Sequence, residues 1–314
     1  MKRKTLSAFL TPLIAVGLLT ACEKSVMDDV DDNVTTTGNV TIRVSDVEAG
    51  WDGCETRTMV EVGEVCSRLC FAIYNKDGKR EKSKNQTSED KDFGTLSIDL
   101  EPGNYEVLVL AHSGKANPTT TNPQKVAFTN PESSGGTGFT DTFYYYGKIE
   151  ATSDKTEIDI SMKRATSMFR LVTSDTKPAS IKKFQFYYEG GSGTLDATTG
   201  WGCVNSKQSV FVSLDDAQTG QPLEFNMYTF LHAETGLVSF TVKAFNANED
   251  VVYSKVFNEV PMQRNCITRY TGNFFVTSNP DDTPDTPEDP ASGKQATAKV
   301  MVDPDWAAIL DYTF

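Results

Sequence analysis

Histidine is scarce in this sequence. His112 and His232 are the only two in 314 residues, and they stand far apart. A His-dependent catalytic triad or metal centre therefore has little to draw on, and Cys66-x3-Cys70 has no further ligands nearby to make a zinc site. There is no G-x-S-x-G elbow, no H-E-x-x-H, no P-loop and no dinucleotide fingerprint. Carboxylates are abundant, but no pair of them is set apart as in a glycosidase. No enzyme activity, metal or cofactor is expected. Basic residues are also in deficit, 30 against 43 acidic ones, and the net charge of −13 argues against a nucleic-acid partner. Outside the first residues, no stretch keeps a helical period of useful length.

What is present begins at the N-terminus. Lys2, Arg3 and Lys4 precede an apolar run, "LSAFLTPLIAVGLL" (6–19), too short for a good spanning helix and built like a secretory signal. It ends in "LTAC", which resembles the lipobox of bacterial lipoproteins; that resemblance implies removal of residues 1–21 and a lipid on Cys22. Residues 22–38, polar, acidic and without a period, are expected to be a tether, and their acidic run resembles the export signal of Bacteroidetes surface lipoproteins. Five cysteines remain, an odd number. Cys203 and Cys266 are the pair offered by the second half, while the spacing of Cys54, Cys66 and Cys70 selects no partner among them.

The rest reads as strand. Val40, Ile42 and Val44 alternate in "NVTIRVSDV", with Val47 out of step. "SRLCFAIYNKDGK" runs from strand into a turn marked by Asn75, Asp77 and Gly78, which is a turn rather than a calcium loop. In "GTLSIDLEPGNYEVLVLAHSG" two alternating runs flank Pro102-Gly103. Charged residues 80–92 and the Thr/Asn/Pro/Gly-rich 115–142 are expected to be surface loops. "FYYYG" (143–147) is read as a strand with alternating aromatics rather than a glycan-binding platform. Strands continue through 167–173, 181–188, 209–214, 223–231, 237–245, 251–258 and 266–277. Short strands at this spacing predict an all-β chain of two tandem sandwiches, residues 39–163 and 164–278.

Beyond an Asp/Pro linker, 279–295, whose composition favours extension, lies an apolar segment, 296–314. Its even positions Ala298, Val300, Val302, Trp306, Ala308, Leu310, Tyr312 and Phe314 carry the apolar side chains, the pattern of a strand that buries one face. Such a tail can pair with its own second sandwich or reach beyond it.

Several segments together resemble the fimbrillin-like proteins of Bacteroidales type V pili. They are "LSIDLEPGNYEVLVLAHSG", "ISMKRATSMFRLVTS" (160–174), "VPMQRNCITRYTGNFF" (260–275) and "KVMVDPDWAAILDYTF". The resemblance implies transthyretin-like sandwiches, export as a lipoprotein to the outer membrane and cell surface, and a cut after an arginine in the first sandwich. The first strand (Val40, Ile42, Val44) is then lost, and a neighbour's C-terminal strand fills the groove, a form of strand addition. Arg57, in the polar "CETRTM", is the candidate for the cut; Arg43 lies inside the strand and Arg68 opens the next one. Ala298, Val300, Val302, Trp306, Leu310, Tyr312 and Phe314 would be the donor's anchors. Expected partners are other fimbrial subunits in a homo- or heteropolymer, membrane lipid through Cys22, and a host or bacterial surface ligand. The alternative is a surface lipoprotein that binds glycan or a host ligand without polymerising.

Overall fold

A computed structural model describes residues 38–48, 59–128, 140–276, 301–303 and 306–314. Cys22, Cys54, Arg57, Ala298 and Val300 lie outside the described residues, as do the linker and most of the tether. The fold is all-β, with one four-residue helix, Val62–Val65, and a single 3-10 turn, Asp216–Gln218, among the described residues.

The first sandwich is one sheet folded on itself. Its strands are β1 (Val40–Glu48), β2 (Met59–Val60), β3 (Arg68–Tyr74), β4 (Arg80–Thr87), β5 (Thr95–Ile98), β6 (Gly103–His112), β8 (Thr142–Ala151) and β9 (Thr156–Arg164), while β7 (Val126–Ala127) belongs elsewhere. β8 runs along the whole of β6, but meets β9 only at Phe143↔Arg164 and Tyr144↔Lys163. The sheet turns a corner there. β1, β5 and β9 thus face β3 and β6 across a core of Val40, Ile42, Leu69, Phe71, Ile73, Val107, Val109, Ile160 and Met162.

The other face of β3 and β6 is buried too, which is why "RLCFAIY" and "EVLVLAH" show no polar alternation. Cys70, Ala72, Tyr74, Leu108 and Leu110 pack against Val126, Leu195, Ala197 and Phe230. A small sheet carries that cover. In it β7 pairs with β12 (Thr194–Asp196), and β12 with β13 (Trp201–Gly202). Segments from both halves of the chain therefore share one core layer.

Two expected loops are partly strand. "REKSKNQT" forms β4, an edge strand whose charges face water; this is how natural sheets blunt an edge. Only its Gln86 turns inward, donating to the carbonyls of Asp92 and Thr95 and accepting from Gly94 N–H. Within 115–142, β7 and the Thr119↔Ala127 bridge fold back on the first sandwich. The expected Asn75 turn is present, with its side-chain oxygen accepting from the N–H groups of Asp77 and Lys79, and Gly78 at φ 74°.

The second sandwich stacks two sheets. One contains β14 (Gln208–Ser213), β11 (Ile181–Glu189), β16 (Thr235–Asn246) and β17 (Val251–Gln263) in that order. The other contains β15 (Glu224–Thr229), β10 (Ser167–Thr173), β18 (Cys266–Gly272), β20 (Trp306–Thr313) and β19 (Met301–Asp303). Phe184, Phe186, Tyr188, Phe240 and Phe257 of the first meet Phe169, Leu171, Phe225, Met227 and Tyr270 of the second.

The two sandwiches repeat one pairing rule. Each first strand runs parallel to the last, β1 to β9 and β10 to β18, and carries an antiparallel strand on its other side, β5 and β15. They differ beyond the last strand. The far edge of β9 meets β8 only at Lys163 and Arg164, whereas the far edge of β18 is covered by β20.

Candidate functional site

Three elements bear on the expectations from sequence: β1, the tail, and the joint between the sandwiches. β1 is deeply buried, with Val40, Ile42, Val44 and Val47 all in the core. Their parity changes because Ser45 is an extra residue. Val44 lies opposite Ile160 and Asp46 opposite Ser161, so the bulge returns Val47 to the inner face. Ser45 Oγ donates to the Ile160 carbonyl, and the Asp46 carboxylate accepts from Ser161. Burying four such aliphatic side chains contributes about 6–12 kcal/mol, so a vacated β1 groove calls for another apolar strand.

The start of β1 is also tightly seated. Asn39 donates to the carbonyls of Leu100 and Thr152 and accepts from Leu100 N–H. Arg43 sits mid-strand, bonded to Glu157 at 3.0 Å, with its peptide paired on both sides. That backbone is shielded from a protease. Arg68 begins β3, also paired on both sides.

The tail folds back on its own chain. β20 runs parallel to β18 from Cys266↔Ala308 to Thr271↔Thr313, and β19 forms a hairpin with it. Tyr312 stacks on Tyr270 with centroids 4.9 Å apart, and Phe314 meets Phe257 edge-on at 5.0 Å with the Lys255 ammonium over its ring. On the opposite face Arg269 grips Asp311 through two bonds of 2.5 and 2.8 Å, and this pairing raises the arginine's pKa.

One anchor is not where alternation puts it. Trp306 shares a cluster with Ile309, Ile267 and Met168 instead of joining Tyr312 and Phe314 in the sandwich core. Met301 pairs with Ile309 but Asp303 pairs with Trp306, one residue short of the regular register, so β20 has an extra residue that reverses the parity. Leu310, Tyr312 and Phe314 are half-buried. Val302 is placed only as a backbone position in β19.

The expected Cys203–Cys266 disulfide is not formed. Cys203 is exposed after β13, its thiol against the carbonyls of Gln124 and Thr194, whereas Cys266 is buried at the start of β18. Cys203 follows the small sheet of β12 and β13, and Cys266 lies in the sheet of β18. The buried Cys66 and Cys70 are thiols as well. Cys70 lies 3.6 Å from His112 Nε2, but burial pushes the thiol up to about 12 and the imidazole down to about 4. His112 Nδ1 accepts from Gly114 N–H, so Nε2 carries the proton. A neutral thiol beside a neutral imidazole is a packing contact with no activated nucleophile. The tyrosines of "FYYYG" are all half-buried, Tyr145 against the first core and Tyr144 and Tyr146 against the shared layer, which leaves no open aromatic platform there.

Sequence reasoning did not foresee the joint. Arg164 is 4% exposed, and its guanidinium lies over the rings of both Phe143 (4.7 Å) and Trp306 (3.9 Å). Its Nε bonds both oxygens of Asp141 at 2.9 and 3.0 Å, and another nitrogen bonds Asn265 Oδ1 at 2.5 Å. Three of the quoted segments, "KRATS", "QRNC" and "DPDW", thus converge on one side chain. A buried cation needs such partners, and the separate occurrence of Arg, Asn and Trp in those segments was the available signal.

Parallel first and last strands, a folded-over sheet and a tail on the second sandwich define a double-sandwich β protein. The chain belongs to the Family of unknown function (DUF6562), which it matches over residues 32–310. No curated protein matches it. Among solved structures it is similar to a candidate adhesin from Bacteroides ovatus ATCC 8483, at 16% identity and TM-score 0.47, covering 87% of this chain and 100% of that one. It is also similar to a candidate polysaccharide-binding protein (DUF1812) from Bacteroides thetaiotaomicron VPI-5482, at 11% identity and TM-score 0.44, covering 68% and 78%. The fimbrial anchor protein Mfa2 from Porphyromonas gingivalis gives 13% identity and TM-score 0.37, covering 69% and 80%. At such values no binding or assembly property transfers from them.

Proposed function

We propose that this chain is a non-catalytic cell-surface protein of fimbriae that serves adhesion as a structural or accessory subunit. It is exported as a lipoprotein on Cys22, cut after Arg57 and joined to neighbouring subunits by strand exchange. The observation that carries this reading is the placement of β1. It is a buried apolar strand at the start of the first sandwich, and one cut in 49–58 would leave it held by non-covalent contacts alone. The pairing hand supports the donor assignment, since β1 runs parallel to the last strand of its sandwich and β20 does the same with β18. A tail strand that pairs in parallel with one last strand is suited to pair with the other.

The cis docking of β20 favours a second reading, in which the tail stays home and the protein is a non-polymerising surface lipoprotein for glycan or host ligand. Limited trypsin digestion of the purified chain separates the two. Strand exchange expects one cut near Arg57 followed by a ladder of oligomers that deletion of 296–314 abolishes. A cut chain that remains monomeric, or a ladder that survives the deletion, rules strand exchange by this tail out.

A further inference from the structure

The contacts of the tail fall into two groups with different reach. Asp311, Tyr312 and Phe314 touch the second sandwich, through Arg269, Tyr270 and Phe257. Trp306 packs on Met168 and Ile267 of the second sandwich and also lies on Arg164, the last residue of β9 in the first sandwich. The covalent connection between β9 and β10 is two residues, Ala165 and Thr166. Around it Asp141 accepts from Arg164 and from Thr166 Oγ1, Ala165 N–H bonds the Thr142 carbonyl, and Asn265 N–H bonds the Thr166 carbonyl. Asn265, in the turn from β17 to β18, then returns a side-chain bond to Arg164. First sandwich, connection, second sandwich and tail meet at one guanidinium.

We infer that the tail is a clasp on this joint, so that docking of β20 on β18 stiffens the contact between the sandwiches and its departure loosens it. Trp306 lays its ring over one face of a cation that also lies over the ring of Phe143. Removing it admits water to that face and weakens the ion pair with Asp141 by raising the local dielectric. By linkage, whatever holds the joint also raises the tail's affinity for its own chain. The inference requires neither a cut after Arg57 nor exchange between copies.

Hydrogen–deuterium exchange of the intact chain reads it directly, at the amides of Ala165 and Asn265. Trp306→Ala and deletion of 296–314 are each expected to speed exchange there about tenfold while β1 and β9 keep their protection. Trp306→Phe should restore part of the protection. The peptide of residues 296–314 added to the deleted chain should restore most of it. Unchanged exchange at both amides in Trp306→Ala overturns the clasp, and so does unchanged exchange in a deleted chain whose β1 amides show it folded. Should the deletion fail to fold, the Trp306→Ala and Trp306→Phe pair decides alone.

Discussion

Gly272 and Phe314 fit one space. A methyl group on Gly272 would lie 2.1 Å from the Phe314 carbonyl oxygen and 2.9 Å from its ring. The glycine at the end of β18 is therefore the seat of Phe314.

It follows that Gly272→Ala should lift the end of the tail without touching the joint. Overpacking of this kind costs about 1–3 kcal/mol. Limited chymotrypsin digestion should cut after Tyr312 faster in the variant than in the parent. Equal rates would show that the seat does not hold the tail.

The Arg269–Asp311 pair should contribute measurably, because both side chains are only about a quarter exposed. Asp311→Asn is expected to cost about 1–3 kcal/mol in urea unfolding, and a double-mutant cycle with Arg269→Met should return most of that as coupling. A coupling near zero would assign the tail's hold to Tyr312 and Phe314.

His112 makes the first sandwich acid-sensitive. Burial, reinforced by the positive charge of Arg68, holds the folded imidazole down at about 4 against an ordinary 6.5. Between those values the unfolded chain takes a proton that the folded chain refuses, so stability falls as pH drops from about 6.5 to 4, by about 3 kcal/mol. His112→Gln should flatten that part of the profile in melting curves taken from pH 7 to 4.5. An unchanged slope would assign the acid loss to the carboxylates instead.

Of the four thiols described, only Cys203 is exposed. Iodoacetamide on the native protein should modify it before Cys66, Cys70 and Cys266, and slowly at neutral pH, because partial desolvation and then Asp196 raise its pKa. Peptide mass spectrometry checks both points. A linked Cys203–Cys266 peptide would falsify the thiol assignment.

Much of this architecture was legible as alternation, because one buried face imposes period 2 on a strand. Val40, Ile42 and Val44 were found that way, as were Leu96 and the paired Tyr312 and Phe314. Alternation failed where the backbone adds a residue, at Ser45 and between Trp306 and Ile309, since a bulge reverses parity without a mark in composition. It also failed for β4, whose edge position allows a charged strand to look like a loop. The Arg164 cluster was out of reach for another reason. Its members come from residues 141, 143, 164, 265 and 306, and a contact across such separations is created by the fold alone.

Asn265 holds a left-handed backbone, φ 58°, and supplies the carbonyl oxygen that Arg164 needs. Glycine would keep the turn and lose the acceptor; glutamine would keep an acceptor and resist the turn. Asparagine and aspartate alone meet both demands, so over evolutionary drift this position has about two letters open to it, and a chain that changed it would have to rebuild the joint elsewhere.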